Sequence, residues 1–355
     1  QLMGQDGKLT VERVNGREIP TSERQSIDPI NGLSVRLTLD TDLQAMLENS
    51  LGEQVEATGA EGGVAVIMEP GTGNILAMAT FPTFDPNNAF ATDDKSKRNT
   101  TVTDVFEPGS TSKLMTMASV IEEGGANPAT QYTVENRLSR GGTSFKDYQD
   151  HETLRLTLAG VLAKSSNIGT ILASESIGQE KLYEYLKKFG IGKSTGMNFP
   201  GESGGKLPDI NNEDEWSDTT FPTLAFGQGL SVNAVQATSV FATIANDGVR
   251  MLPRLISGYS NTEGVYEPSR VDEGVRVVSA KTAKTVREML EVVVSADGTA
   301  KNLQIPGYRV GGKTGTANRY DEATGGYSGY TSSFIGMAPA EKPALVMSVF
   351  IHNPK

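Results

Sequence analysis

The spacing of apolar and polar positions changes several times along the chain, and each change predicts an element. Residues 8–19 alternate on either side of Asn15-Gly16, a pair that suits the two-residue turn of a β-hairpin. Residues 33–39 alternate like a strand. Asp40 or Asp42 then stands where a helix needs a cap, ahead of Leu43, Met46, Leu47, Leu51 and Val55 at helical spacing, with Gly59 as the stop. Residues 63–69 and 74–80 are nearly continuous apolar runs around Pro70-Gly71-Thr72-Gly73, which predicts a hairpin buried on both faces. Residues 84–104 are polar and irregular. Helical spacing returns from Ser110 to Glu123 and again over 154–163, 168–175, 181–189, 233–246 and 280–294, with 191–222 reading as loop. Residues 308–312, 331–337 and 344–351 are strand candidates. Strands at both ends and helices between them predict an α+β fold whose terminal segments share one antiparallel sheet.

Composition narrows this picture. At 355 residues, one large domain with a smaller one is expected. Hydrophobic residues at 37% and charged residues at 21% belong to a folded chain, not a disordered one. A net charge of −11 argues against nucleic acid as a partner, because neutralising phosphates requires clustered Lys and Arg. The absence of cysteine fits a bacterial protein outside the cytoplasm, and fits many cytosolic ones equally. No run of 18 apolar residues is present, so these residues do not predict a membrane span. The chain opens at Gln1 without a basic-then-apolar leader and stops just after the apolar run 344–351. The expectation is a piece of a longer, membrane-anchored protein.

The chemistry is constrained by what is scarce. The two histidines are His151 and His352. A Ser-His-Asp triad needs an imidazole beside the serine. His352 sits next to Asn353-Pro354 near the end, and His151 lies in the polar stretch 147–152, where it reads as a solvated loop residue. A zinc site of the His/Cys type lacks ligands. Three short motifs do stand out, in the order Ser110-Thr111-Ser112-Lys113, Ser165-Ser166-Asn167 and Lys313-Thr314-Gly315-Thr316. They supply a serine nucleophile whose available base is a lysine. Glu107-Pro108-Gly109 sets Ser110 at a helix N-terminus, where free N–H groups and the positive dipole end collect, and Lys113 follows one turn later on the same face. Taken singly, the first motif also reads as an N-cap serine with a solvated lysine, and the third as a surface turn after strand 308–312. Two decoys fit the same patterns. Ser203-Gly204-Gly205-Lys206 lies where no helix can form, and Ser231-Val232-Asn233 reads as Ser231 capping the helix that starts near 233.

The three motifs in this order are the signature of serine β-lactamases and penicillin-binding proteins. With Glu69-Pro70-Gly71-Thr72-Gly73, Phe106-Glu107-Pro108-Gly109, Phe226-Gly227-Gln228-Gly229 and Gly311-Gly312, the chain resembles the transpeptidase domain of a class B penicillin-binding protein over nearly its whole length. It departs from the family at Ser112, where relatives often carry a bulkier residue, and in lacking the closing segment after the last strand.

The resemblance implies a penicillin-binding-protein/serine β-lactamase-like α+β fold, with a central antiparallel sheet flanked by helices and an all-α subdomain. Residues 1–35 would be the remnant of an N-terminal pedestal or linker module, and 36–355 the transpeptidase domain with its C-terminal end truncated. The implied activity is D,D-transpeptidation of peptidoglycan stem peptides through a serine acyl-enzyme that β-lactams trap. In these roles Ser110 is the nucleophile, Lys113 its base, Ser165 a proton relay, and Asn167 a holder of substrate amide and Lys113. Lys313, Thr314 and Thr316 would meet the substrate carboxylate, Gly315 would leave room for the substrate along the strand, and the N–H groups of Ser110 and Thr316 would form the oxyanion hole. No cofactor, metal or nucleic acid is implied. The implied partners are D-Ala-D-Ala donors, amine acceptors, β-lactams and membrane-embedded cell-wall synthesis proteins. The implied place is the extracytoplasmic face of a bacterial membrane, reached through an N-terminal helix outside these residues. A DD-carboxypeptidase or a β-lactam-sensing receptor domain uses the same acylation. A serine β-lactamase would need a deacylating glutamate, and Glu202 lacks the Glu-x-x-Leu-Asn setting.

Overall fold

The computed structural model describes residues 2–19, 24–91, 93–261, 263–321 and 326–355. The chain forms two compact units, residues 1–38 with 254–271, and residues 39–253 with 272–355.

In the first unit the expected hairpin forms from Arg13–Val14 and Arg17–Glu18. Its turn residues Asn15 and Gly16 take φ of 52° and 78°, the left-handed values that make this pair a hairpin signal. Strand Ser34–Leu37 pairs with Ile256–Ser260, which pairs in turn with Tyr266–Pro268. The return of 254–271 to this unit was not expected from the order of elements. It is a long-range pairing of short, mostly exposed strands, which leave no burial pattern in the sequence.

The second unit is built on five strands: β1 (Gly62–Met68), β2 (Ile75–Phe81), β3 (Gly311–Asp321), β4 (Gly326–Ala338) and β5 (Leu345–His352). Their spatial order is β3-β4-β5-β1-β2, and every neighbouring pair is antiparallel. The N- and C-terminal segments of the unit therefore share one sheet, as the order of elements predicted. The helices that matter for the site are α1 (Thr41–Ala57), α2 (Lys113–Glu122), α3 (Leu158–Lys164), α4 (Asn167–Ser174), α5 (Ala234–Ala245) and α6 (Ala280–Val294).

All seven residues of β1 are buried, because helices cover both faces of the sheet. On one face, Leu47, Leu51 and Val55 of α1 pack on Ala65, Ile67, Ala77, Ala79 and Ile351. Asp40 starts α1: its carboxylate accepts from the N–H groups of Asp42 and Leu43, both at 3.0 Å. On the other face lies α5, every residue of which is buried. The Thr238 hydroxyl on α5 meets that of Ser348 on β5 at 2.6 Å, so the polar pair inside this layer is satisfied. Each large side chain buried in these layers contributes about 1.5–3 kcal/mol.

Two expectations shift. Residues 154–163 are not one helix: Leu154–Thr157 is a strand paired with Gln131–Val134, and α3 begins only at Leu158. Thr157 marks the switch, its hydroxyl accepting from the Gly160 N–H at 3.1 Å. The strand expected at 308–312 is instead Gly311–Asp321, so the third motif lies within the strand and not in a turn after it. Between the central helices sit two short two-stranded sheets, 131–134 with 154–157 and 138–140 with 143–145. Among the described residues, no helix is long and apolar enough to cross a membrane.

Candidate active site

Ser110 sits in the tight helical turn Gly109–Ser112 that leads into α2. The turn is pinned from within and from outside. Thr111 donates to Pro108 O and Ser112 to Gly109 O, each at 2.8 Å. The Gly109 N–H donates to Gly227 O at 2.9 Å. Gly227 has φ of 91°, and a Cβ there would strike Ser112 Oγ and Gly109 O. The Phe226-Gly227-Gln228-Gly229 segment thus braces the turn, helped by Glu107, which accepts from the Gly229 N–H at 3.0 Å. Gly109 itself has φ of 52° and lies so close to β3 that a Cβ would sit 3.0 Å from Thr316 O. The two segments that carry the N–H groups of Ser110 and Thr316 therefore abut.

One turn on, Lys113 is completely buried. Its Nζ lies 3.0 Å from Ser110 Oγ, 2.6 Å from Ser165 O, 2.7 Å from Asn167 Oδ1 and 3.3 Å from Ser165 Oγ. Burial pushes this amine well below the ordinary lysine range, the charge of Lys313 pushes the same way, and Asp147 opposes both. The carbonyl of Ser165 and the amide oxygen of Asn167 can only accept. In the neutral form of the amine they would take its two N–H bonds and leave its lone pair for the Ser110 hydroxyl.

The second motif is a helix–break–helix. Ser165 ends α3 in the left-handed conformation, φ 59° and ψ 34°, and Ser166 caps α4 by accepting from the Gly169 N–H at 2.9 Å. This break turns both the carbonyl and the hydroxyl of Ser165 toward Lys113. Asn167 is oriented by its Nδ2, which donates to Lys146 O at 3.0 Å.

Lys313 reaches the same place from the edge strand β3. It too is completely buried, and its Nζ donates to Ser165 Oγ and to Thr314 O, both at 2.9 Å. Burial brings its pKa down to about 7. Ser165 Oγ thus bridges the two lysines. Thr314 shares a hydrogen bond with Thr299 at 2.9 Å, and Thr316 is exposed. Gly315 faces inward: a Cβ there would strike Ser333 Oγ and come within 2.9 Å of Thr111 Cγ2. Packing of β3 against the Ser110 turn by itself requires glycine here.

The structure thus brings Ser110, Lys113, Ser165, Asn167 and Lys313 into one connected cluster. It leaves the decoys outside. Lys206 is exposed and pairs with Glu215 at 3.6 Å, while the backbones of Lys206 and Ser231 bond to each other. The cap of α5 is Asn233 and not Ser231: Asn233 and Gln236 form a reciprocal capping box, each bond 2.8 Å. Sequence reasoning missed Asp147 and misread His151. Asp147 Oδ1 accepts from the N–H groups of Asn167 at 2.6 Å and Ile168 at 3.0 Å. His151 is not solvated. Its Nε2 lies 3.2 Å from Asp147 Oδ2, with side-chain exposures of 15% and 11%. Contacts between residues 20 positions apart, with a strand and a helix between them, leave no local signal. Among the described residues, no group of three or more His, Cys, Asp or Glu side chains could hold a metal ion.

A sheet clothed by helices on both faces, with a serine and two buried lysines converging at its edge strand, defines a serine acyl-transfer domain. The chain belongs to the penicillin binding protein transpeptidase domain family, whose profile matches residues 63–355. It is 38% identical to penicillin-binding protein PbpB of Mycolicibacterium smegmatis, over 100% of this chain and 56% of that protein. It is 39% identical to PbpB of Mycobacterium tuberculosis, over 99% and 53%. The crystal structure of penicillin binding protein 3 from Mycobacterium tuberculosis, complexed with aztreonam, superposes with a TM-score of 0.88 at 38% identity, covering 92% of this chain and 75% of that one. The chain spans about half the length of the PbpB relatives.

Proposed function

We propose that this chain is the catalytic domain of a peptidoglycan D,D-transpeptidase. The observation that carries the reading is the environment of Lys113 Nζ: buried, with Ser165 O at 2.6 Å, Asn167 Oδ1 at 2.7 Å and Ser110 Oγ at 3.0 Å, so that a neutral amine there would give its N–H bonds to the first two and its lone pair to the Ser110 hydroxyl. A serine hydroxyl is a weak nucleophile until a neighbouring base removes its proton. A lysine can serve as that base near neutral pH only when its pKa is strongly lowered, as burial and Lys313 do here.

In the proposed reaction, Ser110 Oγ attacks the carbonyl of the penultimate D-alanine while its proton passes to Lys113. The N–H groups of Ser110 and Thr316 stabilise the oxyanion, and losing one such donor typically costs about 3 kcal/mol of barrier. The C–N bond then breaks, and the departing D-alanine amine takes a proton relayed by Ser165 from Lys113. Lys313, with Thr314 and Thr316, holds the substrate carboxylate, and the stem peptide lies along β3, which has one strand neighbour in the sheet. An amine of a second stem peptide attacks the ester, returns Ser110 and completes the crosslink. A β-lactam follows the first half of this path and stays on Ser110. On this reading the whole protein works at the outer face of the bacterial membrane with other cell-wall synthesis proteins, in septation or elongation.

The test is product analysis with a D-Ala-D-Ala stem peptide and an added amine acceptor. The reading predicts release of D-alanine together with a crosslinked product. Release with only hydrolysed peptide, whatever the acceptor concentration, would make the chain a carboxypeptidase instead.

A further inference from the structure

We infer that Asp147, held by His151, is a positioning residue for acyl transfer: its carboxylate fixes Asn167 at the start of α4 and sets the electric field at Lys113 Nζ. The inference rests on the reading of Ser110 and Lys113 as nucleophile and base.

The first four N–H groups of a helix have no partner within it. In α4 three of them are satisfied from outside. Asp147 Oδ1 takes those of Asn167 and Ile168, at 2.6 and 3.0 Å, and Ser166 takes that of Gly169 at 2.9 Å. Asn167 is thereby held at its backbone by Asp147 and at its Nδ2 by Lys146 O, 3.0 Å away. Its remaining side-chain polar atom, Oδ1, is the one that receives Lys113 at 2.7 Å. The other carboxylate oxygen of Asp147 is fixed by His151 Nε2 at 3.2 Å, and His151 Nδ1 lies 2.7 Å from Glu152 O. A negative charge with so little solvent around it acts at a distance, and it opposes the downward push of burial and Lys313 on Lys113. Charged residues close to this pair in the chain include Lys146, Glu152 and Asp150, the last bound to Arg137 at 2.8 Å.

Anchor and charge can be separated experimentally. Asn has the shape of Asp and keeps an acceptor oxygen, so Asp147→Asn keeps the anchor and removes the charge. Asp147→Glu keeps the charge and displaces the acceptor. The second-order rate of acylation by a fluorescent penicillin is followed against pH, with thermal unfolding as the check on folding. In the Asn variant, Lys113 loses the influence that raises its pKa, so the acid limb of the profile moves to lower pH. In the Glu variant the limb stays in place and the plateau falls, on the order of tenfold. Should the Asn variant not fold, Asp147→Gln, read against Asp147→Glu of the same shape, repeats the charge removal. A limb that coincides with wild type in the uncharged variant overturns the inference, because a residue that merely caps α4 would leave it unmoved. Wild-type protein that is not acylated at any pH overturns the transpeptidase reading and this inference with it.

Discussion

Holding Lys313 inside the protein opposes folding, and the size of that opposition follows from the structure. Its pKa falls from 10.5 to about 7 on burial, a shift of about 3.5 units. At roughly 1.4 kcal/mol per unit, the buried ammonium is disfavoured by up to about 5 kcal/mol relative to the unfolded chain. The sign follows from linkage. Between pH 7 and 10.5 the unfolded chain binds more protons at this residue than the folded one, so stability rises with pH across that window. The deficit is fully present below pH 7. Lys313→Met removes the titrating group and keeps most of the packing volume. It also removes the hydrogen bonds to Ser165 Oγ and Thr314 O, each a net contribution of about 1 kcal/mol. Lys113, relieved of a neighbouring charge, moves up and returns part of the difference. The expected result in urea titrations at pH 6–10 is a variant about 1–3 kcal/mol more stable than wild type near pH 6 and less stable near pH 10. The same substitution should abolish efficient acylation. Stability differences that stay constant across the pH range would refute the reasoning, because they would mean that Lys313 stays charged without penalty.

Two further substitutions test the frame of the site. Gly315→Ala pushes β3 away from Thr111 and Ser333, so it should lower the acylation rate by tenfold or more and cost about 1–3 kcal/mol in thermal unfolding. Unchanged kinetics would show that the contact of β3 with the Ser110 turn is dispensable. Asn233→Ala breaks the capping box of α5 and the bond to Ser203 O at 2.9 Å, which should destabilise the domain by about 1–2 kcal/mol while leaving the pH profile of acylation in place.

Much of the fold was legible because its core is patterned. The apolar runs of β1 and β2 and the helical spacing of α1 state their own burial, and Asp40 and Gly59 mark where α1 begins and stops. The Ser110 turn was legible for a local reason as well, since Glu107-Pro108-Gly109 stands directly ahead of the helical spacing that begins at Ser110. What escaped was held by distant partners. Strand β3 begins Gly-Gly-Lys-Thr-Gly-Thr and has no apolar alternation. It is a strand because β4 pairs with it residue by residue, Lys313 opposite Ile335 and Thr316 opposite Ser332. Leu154–Thr157 carries the Leu-x-Leu alternation of a strand, but at four residues it runs straight into the helical spacing that follows, and its pairing with Gln131–Val134 decides the matter. Asp147 and His151 sit in a polar stretch that looks solvated, and only the bonds of Asp147 to the N-terminus of α4 and to His151 reveal otherwise.

The account depends on Ser110 being the group that Lys113 activates. Intact-protein mass, followed over time after addition of penicillin, tests this directly in wild type, Ser110→Ala and Ser203→Ala. The prediction is one stoichiometric, persistent adduct in wild type and in Ser203→Ala, mapped to Ser110 by peptide analysis, and none in folded Ser110→Ala. An adduct that forms undiminished in Ser110→Ala, or that maps to another residue, would contradict it.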